Sequence, residues 1–271
     1  MTKFLTPLAC CLLVATAAAA GPEITPGEKS LPRPGESFRI DGRDAFVILP
    51  KEAAGATPWV WYAPTLKGLP GKEEVWMFER FLAAGVAVAG VDVGESFGSP
   101  DGRAAYSAFY DHLTTDRGFG ARPCLLARSR GGLMLYGWAA ENPGKVSGAA
   151  GIYPVCNIAS YPGVAKAAPA YGLTAEEMAG ELTKHNPVDR LRPLAEAKVP
   201  VFHIHGDSDT VVPLAANTAL LAERYRGLGG PVEVEVVVGR GHDMWEGWFR
   251  SERLTDFVIE RATSAVDSEG T

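Results

Sequence analysis

The stretch Pro123 to Asn142, PCLLARSRGGLMLYGWAAEN, constrains the fold more than any other part of the chain. An apolar run, Cys124 to Leu126, ends at Ala127 and gives way to Arg128-Ser129-Arg130-Gly131-Gly132. Apolar residues then recur at helical spacing. A buried strand that passes into a helix through small-x-Ser-x-Gly needs a very tight elbow. The positions two before and two after the serine would collide with each other or with the next strand unless they are small, as Ala127 and Gly131 are. Such an elbow lifts the Ser129 hydroxyl above the sheet edge and aims the N-terminus of the following helix at an oxygen lying over it. Ser-Arg-Gly-Gly also occurs in ordinary loops. The motif therefore acquires chemical meaning only with a carboxylate and a histidine further along, in that order.

The surrounding pattern predicts an α/β fold. Phe38 and Ile40, the turn Asp41-Gly42-Arg43, then Phe46 and Ile48 read as an opening antiparallel hairpin. Strands are expected at Trp59–Ala63, Val86–Val91, Cys124–Ala127, Val146–Tyr153, Val201–Ile204 and Val232–Val238. Helices are expected at Glu74–Ala84, Arg103–Thr115, after Ser129, at Leu214–Leu228 and at Arg250–Ala262. Strands and helices in alternation imply a mostly parallel sheet with helices on both faces, over residues 37–263. Pro22 to Gly35 reads as an exposed leader (21–36) and residues 264–271 as a polar tail. The interval 156–200 is long for a connection and holds short helices at Thr174–His185 and Asp189–Ala197. It is expected to be a small insertion, either a lid over the catalytic end of the sheet or a cover for its edge.

A chain of 271 residues, 46% hydrophobic and 21% charged, suffices for one large domain with a real core. Its formal charge of −6 offers no basic footprint, which argues against nucleic acid as a partner. Lys3 followed by the apolar run Leu5–Ala20, ending in four alanines, reads as a signal peptide cleaved near Ala20. The run is short for a membrane span, so a secreted or periplasmic protein without a stable membrane anchor is expected. Cleavage would remove Cys10 and Cys11. Cys124 opens one strand and Cys156 follows the end of its expected neighbour, which sets them roughly 15 Å apart at the strand rise, too far to bridge. Both are expected to be buried and reduced.

His205-Gly206-Asp207-Ser208-Asp209-Thr210-Val211-Val212-Pro213 follows a buried strand, where sites of open α/β sheets gather. Asp209, just before an apolar anchor, is expected to be the fixed acid and Asp207 to shape the turn, with Asp207 as acid the alternative. Gly239-Arg240-Gly241-His242-Asp243 follows the next strand, and its glycines allow the loop to swing His242 over the serine. His203 and His205 lie on one strand face and read as core or hydrogen-bonding residues. His112 and His185 lack the spacing of a metal pair. With no His-Glu-x-x-His or paired Cys-x-x-Cys motif, no metal and no cofactor are indicated.

Serine, aspartate and histidine thus follow in order, each at the end of a different strand. In this the chain resembles the α/β-hydrolase superfamily over roughly residues 37–263. The His-Gly-x-x-Asp-x-x-Val-Pro and Gly-x-Gly-His stretches are most similar to the branch holding prolyl-oligopeptidase-type, dienelactone-hydrolase-type and acetylxylan-esterase-type enzymes. The resemblance implies Ser129 as nucleophile, Asp209 as acid and His242 as base. It also implies an oxyanion hole made by the amide of Arg130 and one from the loop after the Trp59–Ala63 strand. That loop reads Ala63-Pro64-Thr65-Leu66 where family members often carry His-Gly. Pro64 has no amide hydrogen, so Thr65 is the expected donor, with Leu66 next.

The implied reaction is carboxylic-ester hydrolysis through an acyl-enzyme, with acylated carbohydrate or small aryl esters as substrates. Leu66, Glu95, Arg128, Tyr153 and Trp245 are the candidate substrate contacts, with Phe97, Tyr161 and Trp248 as further aromatic wall. Arg128 and Arg130 would either meet an anionic group or brace the elbow by pairing, for instance with Glu95. A peptidase of prolyl-oligopeptidase type is one alternative, although the chain has no room for a propeller. A non-catalytic binding protein on the same fold is the other.

Overall fold

In the central strands successive side chains point into two different cores, as a sheet covered on both faces requires. Trp59 and Trp61 of one strand enter one core, while Val60 and Tyr62 enter the other, and all four are buried. The structure, a computed structural model, describes residues 21–52 and 56–267. The expected signal peptide and residues 268–271 of the expected tail lie outside the described residues.

The strands in chain order are β1 (Ile24–Pro26), β2 (Glu36–Ile40), β3 (Arg43–Ile48), β4 (Trp59–Tyr62), β5 (Ala87–Val91), β6 (Cys124–Arg128), β7 (Gly148–Ile152), β8 (Val201–Gly206) and β9 (Val232–Val237). The α-helices are α1 (Val75–Ala83), α2 (Pro100–Asp111), α3 (Gly131–Ala139), α4 (Val164–Ala167), α5 (Ala175–His185), α6 (Arg192–Glu196), α7 (Thr218–Gly227), α8 (Glu246–Phe249) and α9 (Glu252–Asp267). The sheet runs β1-β2-β3-β5-β4-β6-β7-β8-β9. It is antiparallel from β1 to β5 and parallel from β5 to β9. Helices α2, α3 and α7 bury their apolar sides in one core, α1 and α9 theirs in the other. This is the predicted α/β architecture, opening hairpin included. The hairpin turns through Asp41 and Gly42, both with left-handed φ (47° and 74°), as a two-residue turn requires.

Both ends of the described chain add to the sequence reading. The leader is partly structured, because Ile24–Pro26 pairs antiparallel with β2 and satisfies that strand's outer edge. The final helix runs on to Asp267, with Ser264 exposed on it. The insertion at 156–200 is packed down. Asn217 Oδ1 accepts the amides of Cys156 and Asn157, Asn186 Oδ1 accepts that of Ile158, and Met178 of α5 is buried in the same core as α3. Cys124 and Cys156 are both buried and free. Among the described residues no helix is long and apolar enough to cross a membrane.

Two glycines test this packing with opposite signs. Gly132, in the first turn of α3, faces the carbonyl oxygen of Val155, which an added Cβ would strike. Gly180, inside α5, faces open space. Gly132→Ala is expected to lower unfolding free energy by about 1–3 kcal/mol through overpacking. Gly180→Ala should raise it by about 0.5–1 kcal/mol, the ordinary helical preference. Urea titration of both variants checks the pair.

Candidate active site

The strand order places a crevice in the molecule before any side chain is considered. From β4 the chain crosses by α1 to β5 on one side, then passes by α2 to β6 on the other. Helices leave in opposite directions at that point, and a gap opens beyond the carboxyl ends of β4 and β6. Loop 63–71 borders it on one side and Ser129 on the other.

Ser129 is the elbow residue between β6 and α3, with φ at 50°. A residue with a Cβ is strained there, and the neighbouring strand holds it in place. The Ser129 amide donates to Ile152 of β7 (3.1 Å), and its carbonyl accepts from Val155 (2.8 Å) and Gly132 (3.1 Å). A Cβ at Gly131 would lie 3.1 Å from the Ala63 methyl carbon and 3.5 Å from Thr65 Cγ2, so the size rule read from the sequence is a contact with the β4 loop.

Ser129 Oγ lies 2.9 Å from His242 Nε2, and His242 Nδ1 lies 2.8 Å from Asp209 Oδ2. A carboxylate only accepts, so His242 carries its hydrogen on Nδ1 and its Nε2 lone pair receives the serine hydroxyl. Asp209 is fully buried at the end of β8, and its Oδ1 accepts the amides of Val211 (2.9 Å) and Val212 (2.8 Å). Burial pushes its carboxyl up. The hydrogen bonds from His205, His242 and Val212 outweigh that and hold it well below the usual carboxylate range. Asp207 is exposed and shapes the turn, accepting from the Gly239 amide (2.7 Å) and the Ser208 hydroxyl (2.9 Å). A side chain at Gly206 would strike the Arg240 carbonyl, so this glycine lets the two loops approach.

The amides of Arg130 and Thr65 find no backbone acceptor among the described residues, leaving two donors beside the α3 N-terminus. Thr65 itself is buried, whereas Leu66 is exposed on the rim. What fixes loop 63–71 is a residue the sequence reading did not single out. Glu74 is fully buried, and its Oε1 accepts from Tyr62 Oη (2.8 Å) and Arg128 Nη1 (2.6 Å). Its Oε2 accepts the Gly71 amide (2.8 Å). One carboxylate thus ties the loop after β4 to the residue before Ser129. In sequence it sits among Lys72-Glu73-Glu74, the ordinary acidic entry to a helix, and carries no distinguishing signal. Arg130 pairs with Glu95, one of the two roles the sequence left open for it.

The cavity over Ser129 measures about 230 Å³ and is lined by Thr65, Leu66, Leu69, Arg128, Ser129, Arg130, Tyr153, Tyr161, Val211, His242, Asp243 and Met244. Tyr153 stands against the His242 ring, centroids 4.3 Å apart. Glu95 and Trp245, expected as substrate contacts, lie outside the lining. The Glu95 carboxylate is taken up by Arg130, and Trp245 is held edge-on by Trp248 (5.3 Å) with the Arg240 guanidinium over its ring (4.4 Å). Phe97 is buried behind the site and Trp248 is buried beneath it, its Nε1 donating to Asp243. Leu69, Val211 and Met244, not singled out as substrate contacts from sequence, complete the rim, because placement on a loop has no periodicity to betray it. A groove of about 710 Å³ bordered by Arg33, Leu49 and Glu79 is larger but among its described residues holds no serine beside a histidine, so size does not identify the site. Among the described residues no group of three or more His, Cys, Asp or Glu side chains is placed to hold a metal ion.

In sequence, no family model and no curated protein matches the chain. In structure it is similar to Est1E from Butyrivibrio proteoclasticus, with 18% identity and a TM-score of 0.60 over 86% of this chain and 99% of that one. It is similar also to a truncated carbohydrate esterase from gut microbiota, with 17% identity and a TM-score of 0.61 over 81% and 91% of the two chains. Dipeptidyl peptidase 4 of Porphyromonas gingivalis matches with 17% identity and a TM-score of 0.64 over 88% of this chain. The present chain spans 35% of that peptidase. These likenesses show the α/β-hydrolase fold.

The buried Glu74 gives a stability test. Glu74→Ala should cost about 3–5 kcal/mol because it leaves Arg128 buried without its partner, while joint replacement of both by methionine should restore most of the loss. Thermal and urea unfolding of the two variants decides this. Asp209 gives a pH test. Its folded-state pKa is depressed, so its stabilising contribution is complete above the unfolded aspartate pKa of about 3.9 and is lost as pH falls through the folded value. The stability difference between wild type and Asp209→Asn should therefore shrink on acidification from neutral pH, as read by urea titrations along a pH series.

Proposed function

On the premise of the α/β-hydrolase fold, we propose that this chain is a serine hydrolase that cleaves carboxylic esters through an acyl-enzyme. The observation that carries the reading is the unbroken series Ser129 Oγ, His242 Nε2, His242 Nδ1, Asp209 Oδ2, with links of 2.9 and 2.8 Å. His242 takes the proton from Ser129 as its oxygen attacks the substrate carbonyl carbon. The carbonyl π electrons pass to the oxygen, and the amides of Arg130 and Thr65 receive the oxyanion. Collapse of that intermediate breaks the bond to the alcohol, which leaves with the proton from His242. Water then attacks the acyl carbon and gives a proton to the same imidazole; the second intermediate collapses with cleavage of the bond to Ser129 Oγ, which takes that proton back as the acid leaves. Asp209 holds the tautomer throughout and steadies the imidazolium each time it forms.

A cavity of about 230 Å³ favours a small acyl or aryl group over a long chain. An alkoxide leaves with less help from a general acid than an amine does, which favours esters over amides. Arg128 is paired with Glu74 and Arg130 with Glu95, so neither cation is uncompensated, and a neutral ester of acylated carbohydrate or small aryl type suits the site. Export behind the 1–20 signal segment belongs to the same reading. The peptidase and binding-protein alternatives are separated from it by substrate, with p-nitrophenyl esters set against aminoacyl anilides.

Ser129→Ala should reduce ester turnover roughly 10⁴-fold or more with the melting temperature nearly unchanged. Asp209→Asn should cost roughly 10³–10⁴-fold in kcat, far more than Asp207→Asn. Steady-state kinetics on p-nitrophenyl acetate measures both. Retained turnover in Ser129→Ala, or the reverse ranking of the aspartates, would overturn the assignment.

A further inference from the structure

Behind Asp209 lies a row of buried polar side chains that the proposed reaction does not employ. Tyr136 of α3, His203 and His205 of β8 and Thr218 of α7 are all buried. The two histidines are two apart on a strand and so share the face that α3 and α7 cover. Tyr136 Oη lies 2.7 Å from His203 Nε2, and His203 Nδ1 lies 3.1 Å from Thr218 Oγ1. Thr218 Oγ1 lies 2.8 Å from His205 Nδ1, and His205 Nε2 lies 2.8 Å from the Val212 carbonyl oxygen. The same Nε2 is 3.4 Å from Asp209 Oδ2.

With one hydrogen on the His205 ring, the carbonyl end of this row fixes the direction of every bond in it. A peptide carbonyl only accepts, so His205 carries its hydrogen on Nε2 and presents a lone pair at Nδ1. Thr218 has one hydroxyl hydrogen, which goes to that lone pair. The threonine oxygen then accepts from His203 Nδ1–H, and the remaining lone pair, on His203 Nε2, accepts from Tyr136. With one N–H on each ring, all four side chains are satisfied. Burial, with the neighbouring His205 adding to it, pulls the His203 pKa down to about 3, so that ring keeps the single hydrogen the row needs.

The row ends on the peptide that holds the acid. The Val212 amide donates to Asp209 Oδ1 while the Val212 carbonyl accepts from His205 Nε2–H. Both sides of that residue are clamped, and His205 also faces Oδ2, the oxygen that receives His242. Apolar side chains of similar volume would fill the space without burying four polar groups, so packing alone does not account for the choice. A fully satisfied buried network, by contrast, holds its members in one arrangement. We propose that His205 is a positioning residue for Asp209, backed by Thr218, His203 and Tyr136, and that it sets the carboxylate's rotation so that Oδ2 meets His242 Nδ1. This rests on the serine-hydrolase reading of the same site.

The test compares wild type with His205→Leu, His205→Gln and Thr218→Val, by kcat and KM on p-nitrophenyl acetate and by the rate of Ser129 labelling with a fluorophosphonate. Glutamine keeps an N–H close to the place of Nε2; leucine does not. His205→Leu should lower kcat and the labelling rate about tenfold, the scale for losing an outer hydrogen-bond partner of a site residue, with KM nearly unchanged. His205→Gln should recover most of that loss, and Thr218→Val should fall between. Wild-type kcat in His205→Leu, or equal kcat losses in the leucine and glutamine variants, would overturn the proposal. If His205→Leu does not fold, Thr218→Val decides. Lower kcat at constant KM supports positioning, whereas wild-type kcat with only a lower melting temperature refutes it. A wild type that is neither labelled nor active would instead remove the hydrolase reading, and this proposal with it.

Discussion

The left-handed turn at Ser129 is the constraint around which the crevice is arranged. A serine at φ 50° does not persist by its own preference; it persists because the turn is held from three sides. Its amide and carbonyl are taken by β7 and the residues that follow it, Gly131 is pressed against Ala63 and Thr65, and Gly132 is pressed against Val155. These contacts come from two other stretches of chain, residues 152–155 and 63–65, so the turn exists only in the folded protein. The same contacts bring the β4 loop and its Thr65 amide beside the α3 N-terminus. Local strain and the placing of backbone donors are thus one structural fact.

Charge around the crevice is balanced pair by pair. Arg128 meets Glu74, Arg130 meets Glu95, Arg240 lies 3.8 Å from Asp243, and His242 leans on Asp209. The pairs are not equivalent. Glu74 is fully buried and its partner nearly so, which makes their separation costly and the loop it anchors rigid. Glu95 is half-exposed, so its pairing with Arg130 counts for little in stability. Rigidity is therefore concentrated behind the serine and the aspartate, while the rim of Leu66, Val211 and Met244 stays exposed.

Much of this was legible in the residues, and for a stated reason. The elbow, the Gly239 turn and the two Asp207 and Asp209 positions obey local rules of size, left-handed φ and loop placement, which act within a few residues. Strand and helix alternation likewise follows from short-range periodicity. The functions of Glu74 and of the His205 row were not legible, because their partners lie on other elements. Glu74 meets residue 128 and His205 meets residues in α7, with nothing in the intervening sequence to mark the meeting. Trp245 and Glu95 fall outside the cavity lining for a related reason, since adjacency to a site in sequence does not say which way a side chain turns.

The sequence by itself determined the layered α/β architecture and the order in which a serine, two aspartates and a histidine arrive at strand ends. Periodicity and steric limits are properties of neighbouring residues, so they survive without coordinates. Only the tertiary structure decided which aspartate is buried against His242, which amides are left without acceptors, and which charges neutralise one another. Those outcomes depend on contacts between segments far apart in the chain, where burial and hydrogen-bond geometry exist only after the sheet has assembled.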